Sequence, residues 1–454
     1  MTFQFVSGRR LLGSAALLTT LLSACNSGGD KNATASESGS AATTATALTA
    51  GTWRGVLSAQ GQEIPFLFDL KDEGGKQVVY LINRGINGEE KLRCDEISTA
   101  GDSTTIRLGA FDAALVVSER LSKAASSGTL TGYWVKYDAK GSYRVPFKAS
   151  HPTPQTLFFG EAKERTDYPL LHQAQSFSVV FKDDSGETYP AVGIFRKEAD
   201  SDKAYGTFLT TTGDYRYLSG NIVKMRDGKE RLQLATFDGS HGWLFDATSA
   251  DGFKTLQGDF YSGKSGHETW TATLDPNAKL PDANALTGLK PGQKRLDFKF
   301  PNIFEGGSIS PTDPKYRGKV VVVQVLGSWC PNCMDETNFL APWYEQNKQR
   351  GVEIIGLGFE RTPDQKLASQ KLLKMKQRMN IGYDLAVAGV ANKDSASKAL
   401  PQLAKVLAFP TTIFLDKKGE VRKVHTGFSG PGTGKYYEQE KAEFEKTVAQ
   451  LLAE

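Results

Sequence analysis

From Thr52 to about Leu274 the chain alternates apolar and polar residues in short runs. No other feature constrains the fold as much. "TWRGVL", "IPFLFDL", "QVVYLIN", "TTIRLGAF", "GYWVKY" and "YRVPF" are separated by Gly, Asp, Ser and Lys. Period-two alternation rich in β-branched and aromatic residues predicts half-buried antiparallel strands, and no stretch here carries a helical period. A faint repeat runs through the region. "IRLGAFD" (Ile106–Asp112) matches "LQLATFD" (Leu232–Asp238), and "TLTGYW" (Thr129–Trp134) matches "TLQGDF" (Thr255–Phe260). Both pairs stand 126 positions apart, from Ile106 to Leu232 and from Thr129 to Thr255. A shared offset predicts a duplicated β unit, over 51–150 and 155–275, as two barrels or sandwiches or as halves of one structure. "HPTPQT" (His151–Thr156) is the expected join. The five histidines, His151, His172, His241, His267 and His425, are scattered without ligand spacing, so no metal site is expected. The β region reads equally as a binding platform or as a spacer.

After a turn-rich linker at 276–294 the texture changes. "KVVVVQVLGS" is a continuous apolar run, the mark of a strand buried on both faces. A helix is expected from about Pro331 to Arg350, then the buried strand "GVEIIGLGF". The helical period of "QKLASQKLLKMKQRM" follows, and then the hairpin "TTIFLDKKGEVRKVHTG". Strands alternating with helices predict a multidomain chain, with an antiparallel β-rich region followed by an α/β domain at 295–454.

The N-terminus reads as a leader. "MTFQFVSGRR" is basic, "LLGSAALLTTLL" is apolar but short for a membrane span, and "LSAC" follows. Small residues before a cysteine resemble a bacterial lipobox, which implies removal of residues 1–24 and a lipid on Cys25. A cut nearby with Cys25 incidental is the plainer reading. Residues 25–50, rich in Ser, Ala, Thr and Gly, read as a flexible tether. The expected location is the bacterial cell envelope, lipid-anchored and facing the periplasm. The formal charge of +4 includes Arg9 and Arg10, so the mature chain is near neutral, and no basic tract points to nucleic acid.

Four cysteines remain to be placed. With Cys25 lipidated and Cys94 alone in a strand as a small hydrophobe, Cys330 and Cys333 in "GSWCPNC" are the pair able to bond locally. Cys330 falls at a helix N-cap, where unpaired N–H groups and the helix dipole stabilise an anion and favour the reactive thiolate. Pro331 fits the first helical turn. Cys333 lies one turn along the same face and more shielded. The expected roles follow: Cys330 attacks, Cys333 resolves the mixed disulfide, and Trp329 covers the sulfurs. A zinc site would need further ligands that are missing nearby, and a purely structural disulfide is the remaining alternative.

"WCPNC" after a buried strand, with "FPTTIFLDKKGE" downstream, resembles the thioredoxin superfamily and, more narrowly, the TlpA/ResA-like exported thiol-disulfide oxidoreductases. The resemblance covers about 290–454. It implies a cis peptide at Pro410, facing the cysteines, with Phe409 offering backbone to an extended substrate. It also marks two departures. Gln324 stands where thioredoxins carry a buried Asp, so the proton acceptor for Cys333 must lie elsewhere. Exported relatives imply a Glu at the end of the next strand, which points to Glu360. Pro331–Asn332 replaces the Gly-Pro between the cysteines. The resemblance further implies a reductase of exported disulfides, such as those of cytochrome c precursors. The partners would be oxidised proteins and a membrane thiol donor, with no cofactor. The alternatives are a binding or assembly protein defined by its β domains, and a peroxiredoxin-like peroxidase. That peroxidase would need Thr and Pro where Gly327 and Val323 stand.

Overall fold

The computed structural model describes residues 48–121, 128–139, 141–152, 159, 167–304 and 306–454. The leader, Cys25, the tether as far as residue 47 and most of the His151–Thr156 join lie outside the described residues.

The first β unit contains β1 (Gly51–Ala59), β2 (Gln62–Glu73), β3 (Lys76–Gly85), β4 (Gly88–Cys94), β5 (Ile97–Ala100), β6 (Ser103–Arg107), β7 (Ala113–Leu121), β8 (Gly128–Lys136) and β9 (Tyr143–His151). They form one antiparallel sheet in the order β4-β3-β2-β1-β9-β8-β7-β6-β5. The second unit contains β10 (Gln175–Asp183), β11 (Thr188–Lys197), β12 (Lys203–Thr210), the two-residue β13 (Gly213–Asp214), β14 (Leu218–Lys224), β15 (Glu230–Phe237), β16 (Gly242–Ser249), β17 (Thr255–Ser262) and β18 (Gly266–Leu274). Here β10 pairs with β18, β11 with β12, and β12 with β14, so the sheet closes into a barrel.

The two units share one strand order. β1 to β4 correspond to β10, β11, β12 and β14, and β6 to β9 correspond to β15 to β18. The matched sequence segments fall on corresponding strands, β6 with β15 and β8 with β17. The difference lies in closure. β14 pairs with β15, whereas among the described residues β4 pairs with β3 alone and β5 with β6 alone. The first unit is therefore a half-barrel, and its hollow is filled from outside. On β15, Leu232 and Leu234 point into the barrel while Ala235 and Phe237 point out, by the period of two. Phe237 enters the half-barrel and meets Phe66 at a 4.5 Å centroid distance and Trp134 edge-on at 5.2 Å. A closed first unit would have no room for it. The barrel interior is itself filled by Phe181, Phe208, Phe245, Phe260 and Trp270, as an eight-stranded barrel permits.

Residues 276–294 have little regular structure and run along the C-terminal domain, with Ala404 N–H donating to Gly288 O and Thr426 N–H to Ala283 O. Two short strands follow, β19 (Phe300–Pro301) and β20 (Ser308–Ile309). The domain's sheet contains β21 (Val320–Leu326), β22 (Val352–Glu360), β23 (Asp384–Val390), β24 (Thr411–Leu415) and β25 (Val421–Thr426). Its order is β23-β22-β21-β24-β25, with β21, β22 and β23 parallel and the other pairings antiparallel. Four helices cover it: α1 (Pro331–Asn347), α2 (Gln365–Arg378), α3 (Lys393–Ala399) and α4 (Lys435–Ala453). All seven residues of the central β21 are buried. Val321, Val323 and Val325 pack in the core that includes α3, and Val320, Val322 and Leu326 in the one that includes α1 and α4. By that alternation Gln324 faces α1. A β-rich region followed by an α/β domain of thioredoxin type is the fold class expected above.

Candidate active site

The turn from β21 into α1 carries the chemistry. Cys330 is the N-cap of α1 in extended conformation, and its Sγ accepts a hydrogen bond from Cys333 N–H at 3.3 Å. An orphan donor of the first helical turn thus points at the sulfur, which stabilises negative charge there. The Cys330 thiol donates to Phe409 O at 3.4 Å, so the carbonyl expected to receive substrate is engaged by the attacking residue itself. The Phe409–Pro410 peptide is cis. Cys330 is 6% exposed and Cys333 fully buried, both as free thiols. Burial, reinforced by its bond to Cys330, pushes the Cys333 thiol well above the usual range, and the Glu336 charge adds to this. The asymmetry matches a reachable attacker and a shielded resolver.

Trp329 lies beside the sulfurs, held from three directions. Its indole N–H donates to Phe359 O at 2.8 Å, its ring meets Phe409 edge-on at 5.6 Å, and the Arg361 guanidinium sits 4.5 Å from its centre. Gly327 is needed for this packing, because a Cβ there would land on the indole nitrogen. Cys94 is buried at the end of β4, and burial pushes its thiol up to about 12, as suits a packed residue.

Gln324 lies at the centre of a buried polar chain. Its Nε2 donates to Glu336 Oε2 at 2.7 Å and to Thr337 Oγ1 at 3.1 Å, and its Oε1 accepts from Tyr383 at 3.0 Å. Thr337 donates in turn to Cys333 O at 2.7 Å, and Thr412 donates to Glu336. Glu336 is the residue that sequence reasoning passed over. Burial lifts its carboxyl to about 7, against the opposing bonds from Thr412 and Gln324 and the nearby His425 charge. The signal was present in "CMDET": Glu336 follows Cys333 by three positions, on the same face of α1.

Glu360 is buried too, and burial lifts it to about 7. Its partner is Ser328, whose N–H and Oγ–H donate to the two carboxylate oxygens at 2.8 Å each. The structure therefore brings Glu360 to the turn before Cys330, and brings Glu336 into the polar chain that ends on the Cys333 main-chain carbonyl.

The dipeptide between the cysteines is also committed. Pro331 is buried at the first helical position, and Asn332 Nδ2 donates to Asp214 O, on the barrel, at 3.1 Å.

Residues 290–442 match the family model described as Redoxin. The C-terminal part of the chain is a redoxin domain. The thiol-disulfide oxidoreductase ResA of Geobacillus kaustophilus is 30% identical over 112 residues, 25% of this chain and 57% of that protein. ResA of Halalkalibacterium halodurans is 28% identical over 136 residues, 30% of this chain and 68% of its own. The thioredoxin-like protein YneN of Bacillus subtilis is 24% identical over 140 residues, 31% of this chain and 74% of its own. The chain thus spans a little over half of the first relative. A redoxin domain with a free, N-capping Cys330 and a buried Cys333 can exchange thiols for disulfides.

Proposed function

We propose that this chain is a thiol-disulfide oxidoreductase that reduces disulfides outside the cytoplasm. The supporting observation is the capped pair, with Cys333 N–H on Cys330 Sγ and Glu336 in the polar chain behind Cys333. Cys330 thiolate attacks one sulfur of a substrate disulfide. That S–S bond breaks, a mixed disulfide forms, and the departing substrate thiolate takes up a proton. Cys333 then loses its proton towards Glu336 and attacks Cys330 Sγ. The second substrate sulfur leaves as a thiol, and two electrons have passed to the substrate. The enzyme is left with a Cys330–Cys333 disulfide, which a membrane-borne dithiol donor reduces again. Glu336 takes the base role, and Glu360 holds the Ser328 turn that aims Cys330.

The leader and "LSAC" support an envelope protein anchored through lipid on Cys25, with oxidised proteins such as cytochrome c precursors as substrates. The peroxidase alternative meets two obstacles. A Thr at Gly327 would displace the Trp329 indole, and Val323 lies in mid-ladder between β22 and β24, where Pro would remove a donor.

The test is a single turnover. The reduced protein is expected to convert one disulfide peptide into two thiols per chain while forming its own disulfide, and Cys330→Ser to abolish this. Turnover that survives Cys330→Ser would refute the reading. In cells the pair should be mainly reduced; a mainly oxidised pair would make the protein an oxidase.

A further inference from the structure

The face of the redoxin domain around Cys330 is covered by the β units. Four contacts ring the mouth. On one side Ser240 Oγ donates to Trp329 O at 3.1 Å, and Lys136 of the half-barrel donates to Ser240 O at 3.0 Å. On a second side Arg361, which lies over Trp329, donates to Asp138 of the half-barrel at 2.9 Å. On a third, Asn332 donates to Asp214 O, and Gly430 N–H donates to Asp214 Oδ2 at 2.7 Å. On the fourth, the Thr212–Gly213 backbone lies so close to Gly427 that a side chain there would meet it near 3 Å. Gly427 N–H in turn donates to Pro410 O.

A buried charged cluster fastens this arrangement. The Arg216 guanidinium donates to both oxygens of Asp335, at 2.8 and 2.7 Å, and to Glu90 of the half-barrel at 2.5 Å. Arg216 therefore joins barrel, half-barrel and α1 two residues beyond Cys333. A buried bidentate pair fixes geometry more rigidly than a surface pair, and breaking one side leaves a stranded charge. A backbone conformation that non-glycine residues rarely adopt, at φ 56°, sets Arg216 for this reach. Next to Pro331, the residue after Cys330, lies a cleft of about 540 Å³ lined by Pro331, Met334, Arg216, Asp238 and Phe111 among others. That volume suits a small molecule or a short peptide segment.

We infer that the barrel loops Thr211–Arg216 and Asp238–Ser240 are the specificity-determining wall of the redox site. They admit a disulfide of low bulk, carried by a small molecule or an unstructured peptide, and exclude one held on a folded protein surface. The inference rests on the exchange activity proposed above and assigns the β region a role in it. Electron flow is unchanged: the admitted disulfide is cleaved by Cys330 and leaves as two thiols.

The test uses the full, reduced chain and three probes: oxidised glutathione, an unstructured disulfide peptide, and a folded protein with a surface disulfide. A bulky partner reaches Cys330 only from the opened fraction of molecules, so the folded probe should lag the better of the other two by about tenfold or more. Arg216→Ala and Ser240→Ala should narrow the gap by raising the folded-protein rate relative to the rates of the two small probes. Access is also read without turnover, as the ratio of Cys330 alkylation by N-ethylmaleimide to that by a maleimide on a long polyethylene glycol, mapped by peptide mass. The ratio should be large in the wild type and fall in whichever variant keeps its fold. A folded protein reduced as fast as the small probes, or equal alkylation by both maleimides, overturns the wall. A gap that folded variants leave unchanged does so too. Failure to reduce any of the three probes would refute the exchange activity, while the alkylation ratio still decides the wall.

Discussion

Replacing Glu336 by Gln tests the proton chemistry and the energetics of the site together. The buried carboxyl titrates at about 7 against an ordinary 4.5. Between those values the native state holds a proton that the unfolded chain has released, so stability falls as pH rises through this window and stays low above it. At about 1.4 kcal/mol per unit, the loss from below 4.5 to above 7 is on the order of 3 kcal/mol. Glu336→Gln removes the charge and should flatten that part of the denaturation curve against pH. It should therefore gain relative stability above pH 7, less the loss of one acceptor for Thr412 or Gln324. Other groups face the same site. Burial lowers His425, but its 2.6 Å pair with Glu440 outweighs this and raises it above the usual imidazole range. The kinetic readout is the lifetime of the mixed disulfide, followed by rapid quench across pH 5.5 to 9. In the wild type its resolution should accelerate through a group near 7, and in Glu336→Gln that inflection should vanish, with a slowing of about 100-fold or more. An unchanged profile would refute the base role of Glu336. A lost inflection with an unchanged stability curve would refute the burial argument.

Other outcomes follow from the same structure. Phe237→Ala empties the hollow of the half-barrel where Phe66 and Trp134 close on the ring, and should cost about 3–5 kcal/mol in denaturant unfolding. Gly327→Thr should displace the Trp329 indole from Phe359 O, seen as a shift in tryptophan emission and a slower first attack. Cys25→Ser should abolish fatty-acid labelling and release the protein from the membrane fraction, with single-turnover exchange by the purified chain intact.

The redox centre was legible because its signals are local. A buried strand, Cys330 at a helix start, Cys333 one turn on and Pro410 downstream sit within short windows of sequence. The likeness of the two β units, which share one strand order, was legible from two short matches, since corresponding strands keep corresponding inward residues. Closure of one unit and opening of the other was not. It depends on which face of β15 finds a partner, and Phe237 alternates outward with no mark in its own neighbourhood. Glu336 was hidden by its setting, because a carboxylate in the first turns of a helix reads as an ordinary solvated group until Gln324 is seen to face it across the core. The clasp between Arg216 and Asp335 spans 119 positions, and no periodicity connects residues so far apart.

The most direct test of the account is the trapped intermediate. Reduced Cys333→Ala, mixed with an unstructured disulfide peptide and quenched in acid, should carry one peptide per chain, and digestion should place it on Cys330. With Cys333 gone no internal thiol can resolve the adduct, so it should persist until an external dithiol is added. Absence of an adduct, or its placement away from Cys330, would contradict the claim that Cys330 is the attacking thiol of a disulfide reductase.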